Sequence, residues 1–393
     1  VLPGEVVRVR ATQKRGDGFA ADVVEMLATS AERVVPPCPH AAECGGCALQ
    51  HWATGKYLAW KSGLLEAALR RAGYAPALAP IVASAPRTRR RMDFAARREG
   101  GTLRLGLHAP HSREIVDVLD CHVLHPTLTA LLPRLRTTLA SLSALRREAS
   151  VVCNLLDNGP DLLLRTDAEP TAQDRAALAA FARAHGIPRI AVARGDGAPE
   201  TAVLLQAPRI RFSGVDVTPP PGAFLQASAD GEQAIVAAVL SGFSETLPAR
   251  ARVADLYAGC GTLSFALAAR ARVFACEGDA ATLAALRAAA NGAGLAGRIE
   301  TQHRDLVRQP LSARDLAAFA AVVLDPPHAG APMQIAQVAA SNVARVIYVS
   351  CNPAAFSRDA AVLRTAGYAL LSATPIDQFL WSARLESVSV FAR

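Results

Sequence analysis

Lysine is nearly absent. Only Lys14, Lys56 and Lys61 stand among 42 basic residues, so 39 are arginines. Against 34 acidic residues the formal charge is +8, which suits a polyanionic partner such as nucleic acid. Alanine is abundant as well, and a GC-rich coding bias would produce both excesses, so composition alone leaves RNA binding undecided. No uninterrupted apolar stretch approaches the roughly 18 residues that a membrane-spanning helix needs, and no secretory leader opens the chain. The chain is expected to work in the cytoplasm, away from membranes, as a monomer with no protein partner implied. Internal repeats and low-complexity tracts are missing too. What remains is 393 residues with 51% hydrophobic content, enough for a substantial core and more comfortable as two or three domains than as one. The sequence starts at Val1 without an initiator Met, in what reads as the middle of a module, so a trimmed N-terminus is expected.

Residues 1–35 alternate apolar and polar around Gly16-Asp17-Gly18 and predict a small β element. A cysteine-rich loop follows Pro36-Pro37, and Leu58, Leu64, Leu65, Ala68 and Leu69 give residues 52–72 the period of an amphipathic helix. From Met92 to about Pro219, short β runs (92–97, 103–108, 114–119, 162–166, 203–206) enclose helical stretches near 127–146 and 171–185, an α+β pattern. Pro219-Pro220-Pro221-Gly222 marks the clearest boundary. Beyond it a helix near 230–243 precedes strands at 252–257, 272–277, 299–303, 320–325, 345–350, 368–373 and 386–392. Alternation of that kind predicts an α/β domain over 222–393 with a mostly parallel sheet covered on both faces. No helix separates the last two strands, so they are expected to pair antiparallel. Such a Rossmann-like seven-strand sheet fits an S-adenosylmethionine (SAM) methyltransferase better than a dinucleotide dehydrogenase.

The first strand of that sheet runs into Gly259-Cys260-Gly261-Thr262, where glycines let the backbone approach a ligand in the first βα crevice. Ser264 stands where a dinucleotide fingerprint has its third glycine, so no pyrophosphate site is demanded. Glu277 ends the second strand, where a carboxylate can accept from both ribose hydroxyls, and Asp305 ends the third, where it can accept from an adenine amino group. Each acid alone reads as an ordinary strand-end or capping residue. Aligned with Asp255 and Asp325 along one sheet edge, they point to a nucleoside cofactor. Asp325-Pro326-Pro327 is a rigid stop for the fourth strand, and it places an acceptor beside the strand that ends at Cys351.

Cys351 closes an apolar run at Val349-Ser350-Cys351-Asn352-Pro353 and opens a Pro-marked turn facing the cleft. A cysteine is valuable where the target carbon is a weak nucleophile, as C5 of uracil is. Thiolate addition at C6 converts the ring to an enolate whose C5 can attack an electrophilic methyl group. A base must then remove the C5 proton, and Glu386 at the start of the last strand is placed for it.

At these residues the chain resembles the RNA uracil-5-methyltransferase family, and the resemblance covers nearly its whole length. Asp255 to Thr262 match the SAM loop, Asp325-Pro326-Pro327 and Ser350-Cys351-Asn352-Pro353 match the substrate and nucleophile motifs, and Asp377 to Glu386 match the segment with the base. The resemblance implies Cys351 as nucleophile, Glu386 as base, and Gln226, Asp255, Tyr257, Gly259, Gly261, Glu277, Asp305 and Asp325 around the cofactor. Phe224, Gln226 and Asp325 would hold the uracil. Three positions depart from the pattern: Ser228 replaces an Asn, His328 an Arg, and Arg384 a His.

Cys38, Cys44, Cys47 and the distant Cys121 could give four thiolates to one centre, and by spacing alone tetrahedral zinc and an iron-sulfur cluster fit equally. The pattern resembles the [4Fe-4S] site of the family's ribosomal branch, which implies a structural or RNA-positioning cluster. Residues 1–35 likewise resemble the second half of a TRAM domain, and 36–221 would be the iron-sulfur loop and central RNA-binding domain. Arg87, Arg89, Arg90, Arg91, Arg97 and Arg98 either track phosphates or form a solvated strand edge. The expected activity is methylation of a specific uridine in 23S rRNA. The T-loop uridine of tRNA and a catalytically silent RNA-binding protein of the same fold are the alternatives.

Overall fold

The runs Val253-Ala254-Asp255-Leu256, Val322-Val323-Leu324 and Val346-Ile347-Tyr348-Val349 carry no polar alternate face, so they are stable only where both sides of a sheet are covered. A computed structural model, which describes residues 1–243 and 251–393, places all three at the centre of one sheet. In order across it lie Ile299–His303, Arg272–Glu277, Arg252–Leu256, Ala321–Leu324, Arg345–Ser350, Glu386–Ala392, Ala369–Asp377 and Val82–Ala83. The first five are parallel, and Glu386–Ala392 runs antiparallel to both its neighbours. Helices Thr262–Ala268, Ala280–Gly292, Pro332–Ala340 and Pro353–Thr365 make the crossovers. The order reverses at Arg252–Leu256, with Arg272–Glu277 on one side and Ala321–Leu324 on the other. Reversal leaves a crevice outside the carboxyl ends of these strands.

Seven of these strands match the expected sheet; the eighth is an addition. The strand expected at 368–373 continues to Asp377, and its last residues pair in parallel with Val82 and Ala83. Pro375 lacks an amide for the ladder, which is tolerated near a sheet edge.

The central sheet runs Glu200–Leu204, Arg189–Arg194, Gly159–Thr166, Glu148–Leu156, Arg91–Glu99, Thr102–His108 and Ile115–Asp117. It is antiparallel apart from the Gly159–Thr166 and Arg189–Arg194 pair, which helix Ala172–His185 connects. The strands Glu148–Leu156 and Arg189–Arg194 escape the sequence reading. Val151-Val152-Cys153 and Ile190-Ala191-Val192-Ala193 are short apolar runs that periodicity does not assign. The helix near 127–146 is shorter, Pro126–Ser141, because Leu142 and Leu145 continue the apolar pattern as buried loop residues.

The first 35 residues form the hairpin Val6–Arg15/Gly18–Ala28. Helix Thr54–Arg71 buries Leu65, Ala68 and Leu69 in the core of the eight-stranded sheet, with Phe356 and Leu363. On the same face Lys61, wholly buried, pairs with Asp377 and donates to the carbonyl of Phe379 at 3.0 Å. Tyr57 donates to the other oxygen of Asp377 at 2.5 Å and accepts from the amide of Trp381 at 2.8 Å. Removing one partner of so buried a pair would cost about 3–5 kcal/mol. This staple fixes the loop between Asp377 and Glu386.

Candidate active site

The crevice opens where Arg252–Leu256 gives way to Tyr257, Gly259 and Gly261, all at positive φ (66°, 56° and 99°). At Gly261 a Cβ would sit 2.6 Å from the Phe265 ring, so no other residue fits the turn. The non-glycine Tyr257 is held there because the amides of Tyr257 and Ala258 both donate to the Cys276 carbonyl, at 2.9 and 3.0 Å. Glu277 accepts from the amide of Gly259 at 2.9 Å and from that of Asp279 at 2.8 Å; each carboxylate oxygen keeps a second lone pair. Asp255 lies fully buried under the loop and accepts from Ser264 at 2.5 Å, while its Oδ1 has no partner. Burial pushes Asp255 up to about 7 against the Ser264 hydrogen bond, with Glu277 adding to the rise. Asp305 stands two residues beyond its strand, exposed, and caps a turn by accepting from the amides of Val307 and Arg308 at 3.0 and 3.3 Å.

Across the switch point lie the groups expected to meet the base. Asp325 follows Ala321–Leu324 and accepts from Gln226 Nε2 at 3.1 Å. Though one edge opens to the cleft, the surrounding protein pushes it up to about 7, helped by the charge of Asp255. Cys351 is half-buried at the end of Arg345–Ser350. Asn352 caps the next helix, accepting from the amides of Ala354 and Ala355 at 3.0 and 3.4 Å, with Pro353 at the first helical position. The ladder between Arg345–Ser350 and Glu386–Ala392 ends with Ser350 opposite Ser387, so Cys351 and Glu386 are the next facing residues. Burial, then the carboxylates of Glu386 and Asp325, push the Cys351 thiol up to about 11, and Arg384 opposes them. Glu386 is buried; it accepts from Gln378 at 2.8 Å through Oε2, and its Oε1 has no partner. Burial and the charge of Asp325 raise it well above the usual carboxylate range.

The Phe224-Leu225-Gln226 loop reaches this site from the central sheet. Asn154 donates to the carbonyl of Ala223 at 2.9 Å, and buried Arg90 donates to the carbonyl of Gln226 at 3.2 Å and to Glu232 at 2.5 Å. Phe224 is 65% exposed, with the Arg91 guanidinium 5.2 Å from its ring centre, a free aromatic face beside a cation.

Comparison with known proteins fits this geometry. Residues 222–393 match the family model described as tRNA (Uracil-5-)-methyltransferase. An RNA methyltransferase of Brucella suis, itself uncharacterized, is 39% identical over all of this chain and 91% of its own length. The 23S rRNA (uracil(1939)-C(5))-methyltransferase RlmD of Klebsiella pneumoniae is 33% identical over all of this chain and 89% of its own length. The chain belongs to the RNA uracil-5-methyltransferase family. It is therefore a SAM-dependent enzyme with an RNA substrate. In fold it is similar to the crystal structure of Pyrococcus abyssi tRNA (uracil-54, C5)-methyltransferase in complex with S-adenosyl-L-homocysteine, with TM-score 0.72 and 20% identity over 99% of this chain and 93% of that one. Among the described residues no helix is long and apolar enough to cross a membrane.

The departures from the family pattern have local explanations. Ser228 takes over as N-cap of helix Ala229–Ser241, accepting from the amide of Gly231 at 3.1 Å, a task Ser and Asn share. His328 accepts from Asn352 Nδ2 through its carbonyl at 2.8 Å, with its ring Nδ1 3.4 Å from the same nitrogen. Arg384 borders the cysteine cavity.

That cavity, of about 390 Å³, is lined by Cys38, Cys44, Cys47 and Cys121 together with Arg89, Phe379 and Arg384. Burial raises the thiols of Cys44, Cys47 and Cys121, Cys47 to about 12, and the neighbouring sulfurs add to each rise. Among the described residues no group of three or more His, Cys, Asp or Glu side chains is drawn together around a single ion. The arginine stretch is mostly internal. Arg87 pairs with Asp120 at 3.1 Å, Arg89 donates to the carbonyl of Arg91 at 2.9 Å, Arg97 pairs with Glu148 and Arg98 donates to the carbonyl of Leu145. Arg91 differs, since its Nε has no partner. Sequence reasoning missed Gln378, Asn154 and Lys61, and it read Arg90 only as part of a basic stretch, where the structure buries it against the Gln226 carbonyl and Glu232. Only Lys61 carried a signal, a lysine on the apolar face set by Tyr57, Leu65 and Ala68.

Proposed function

We propose that the enzyme methylates C5 of a specific uridine in 23S rRNA through a covalent adduct between Cys351 and C6. The observation that carries this is the strand ladder ending at Ser350 and Ser387, which makes Cys351 and Glu386 next in register, with Glu386 buried, its Oε1 unpartnered and its Oε2 joined through Gln378 to the Gln226–Asp325 pair. Bound SAM supplies an electrophilic methyl group on a sulfonium sulfur, with Gln226, Asp255, Tyr257, Gly259, Gly261, Glu277, Asp305 and Asp325 as its surroundings. Cys351, as thiolate, would form a bond to C6, and the displaced ring electrons would give an enolate whose C5 takes the methyl carbon as the bond from that carbon to the sulfonium sulfur breaks, its electron pair staying on sulfur in the departing neutral thioether. Glu386 then takes the C5 proton, the C5–C6 double bond re-forms, and the thiolate leaves. Phe224 offers its exposed face to a uridine splayed from its stack, and Gln226 holds the base edge. The 33% identity to a 23S rRNA enzyme over 89% of that protein's length supports ribosomal RNA as substrate.

The three-part division at 35 and 221 belongs to the same reading, with a TRAM-like module, a central RNA-binding domain and the methyltransferase domain working as a monomer in the cytoplasm. In this reading Cys38, Cys44, Cys47 and Cys121 hold a [4Fe-4S] cluster in a structural or RNA-positioning role. The four thiols line one cavity of about 390 Å³, which is room for a polyatomic centre, and a bound cation would reverse the upward shift of the thiols.

Incubation with labelled SAM should place 5-methyluridine in 23S rRNA that lacks the modification and none in an unmodified tRNA transcript. Label in tRNA alone would move the assignment to tRNA, and no label in either would leave an RNA-binding protein without activity. Protein purified without oxygen should contain about four iron and four sulfide per chain. Zinc in place of iron would reject the cluster.

A further inference from the structure

Gln378 lies in the loop that leads to Glu386, is 2% exposed, and makes three hydrogen bonds at the centre of the site. Its Oε1 accepts from the amide of Ala227 at 2.8 Å. A backbone amide can only donate, so the side-chain amide has one permitted orientation. Its Nε2 therefore faces two acceptors, Gln226 Oε1 at 2.7 Å and Glu386 Oε2 at 2.8 Å. The stem is clamped as well, because a Cβ on Gly231 would come within 2.6 Å of Gln378 Cβ. The chain of polarity continues: with Oε1 of Gln226 engaged by a donor, its Nε2 is the atom that faces Asp325 Oδ2 at 3.1 Å.

We infer that Gln378 is a positioning residue that fixes the polarity of the uracil-reading amide of Gln226, so that the site accepts uracil and refuses cytosine. This rests on the reading of Gln226 as the group that holds the base edge. Gln226 is left with one N–H on Nε2 and one lone pair on Oε1. Uracil presents O4, an acceptor, next to N3–H, a donor, and so meets that pair. Cytosine presents an amino donor next to an acceptor N3 and needs the amide reversed. Reversal would set Gln226 Nε2 against Gln378 Nε2, two donors facing one another in a buried site. The pyrimidine cannot turn over instead, since C6 must face Cys351 and C5 the methyl donor.

The test uses a short RNA hairpin carrying the uridine mapped by the labelling experiment, and the same hairpin with cytidine there. Both are bound to the full chain with Cys351→Ala, which prevents adduct formation. The ratio of the two dissociation constants should fall about tenfold or more in Gln378→Met, toward the ratio given by Gln226→Leu, with S-adenosylhomocysteine affinity kept as the check of folding. Gln378→Glu keeps the acceptor for Ala227, loses both donors, and should lower the ratio in the same way if the methionine variant does not fold. A merely structural role would weaken both hairpins equally. An unchanged ratio in a folded Gln378 variant, with the ratio lost in Gln226→Leu, overturns the role of Gln378 and leaves the reading of Gln226 standing. An unchanged ratio in Gln226→Leu, or no methylated uridine to map, overturns that reading and this inference with it.

Discussion

Cys351→Ala should lose RNA methylation by more than about a thousandfold while S-adenosylhomocysteine still binds with near-normal affinity. The separation is expected because the cofactor loop at Tyr257 to Gly261 and Glu277 stand on the far side of the switch point, on Arg252–Leu256 and Arg272–Glu277, whereas Cys351 ends Arg345–Ser350. Turnover in the alanine variant would refute the nucleophile. The pH dependence has a definite sign. A thiol pushed up to about 11 is neutral near pH 7, and its thiolate fraction grows about tenfold with each pH unit below that value. Alkylation of Cys351 by iodoacetamide, followed by peptide mapping, should therefore rise steeply from pH 7 to 10 in the free enzyme. A plateau in the neutral range would show a thiolate already formed.

Glu386→Gln should stall the reaction after methyl transfer, so that RNA and protein accumulate as a covalent adduct on a denaturing gel while product release falls by about a hundredfold or more. Burial and the charge of Asp325 raise Glu386, which makes its carboxylate a stronger proton acceptor than an exposed one. The amide of glutamine keeps the shape and an oxygen for Gln378, and removes only the basicity. Product release at the normal rate, with no adduct, would assign the proton to another group.

The catalytic sheet was legible because its strands are uninterrupted apolar runs ended by Gly, Asp or Pro, and because topology then dictates which residues meet at its carboxyl edge. Cys351, Glu386, Asp325 and Asp255 could be placed on that basis alone. Gln378 could not, since a glutamine in a loop carries no periodic signal and its importance lies in three contacts to distant segments. The central strands Glu148–Leu156 and Arg189–Arg194 were hidden because burial on both faces removes the alternation that announces a strand. The basic stretch was left open between phosphate contact and a solvated strand edge, and periodicity gave no sign that most of its guanidinium groups fasten one segment of the protein to another.

The reversed direction of Glu386–Ala392 governs the whole arrangement. A parallel strand in that place would begin at the opposite rim of the sheet, roughly 17 Å away for a span of about five residues, and its first carboxylate would never see the thiol. Sulfur and carboxylate are thus aligned by a hydrogen-bonded ladder rather than by the tips of mobile loops. A slip of one residue in that ladder would swing residue 386 to the other side of the sheet and, under the proposed mechanism, disarm the enzyme without removing a single reactive atom.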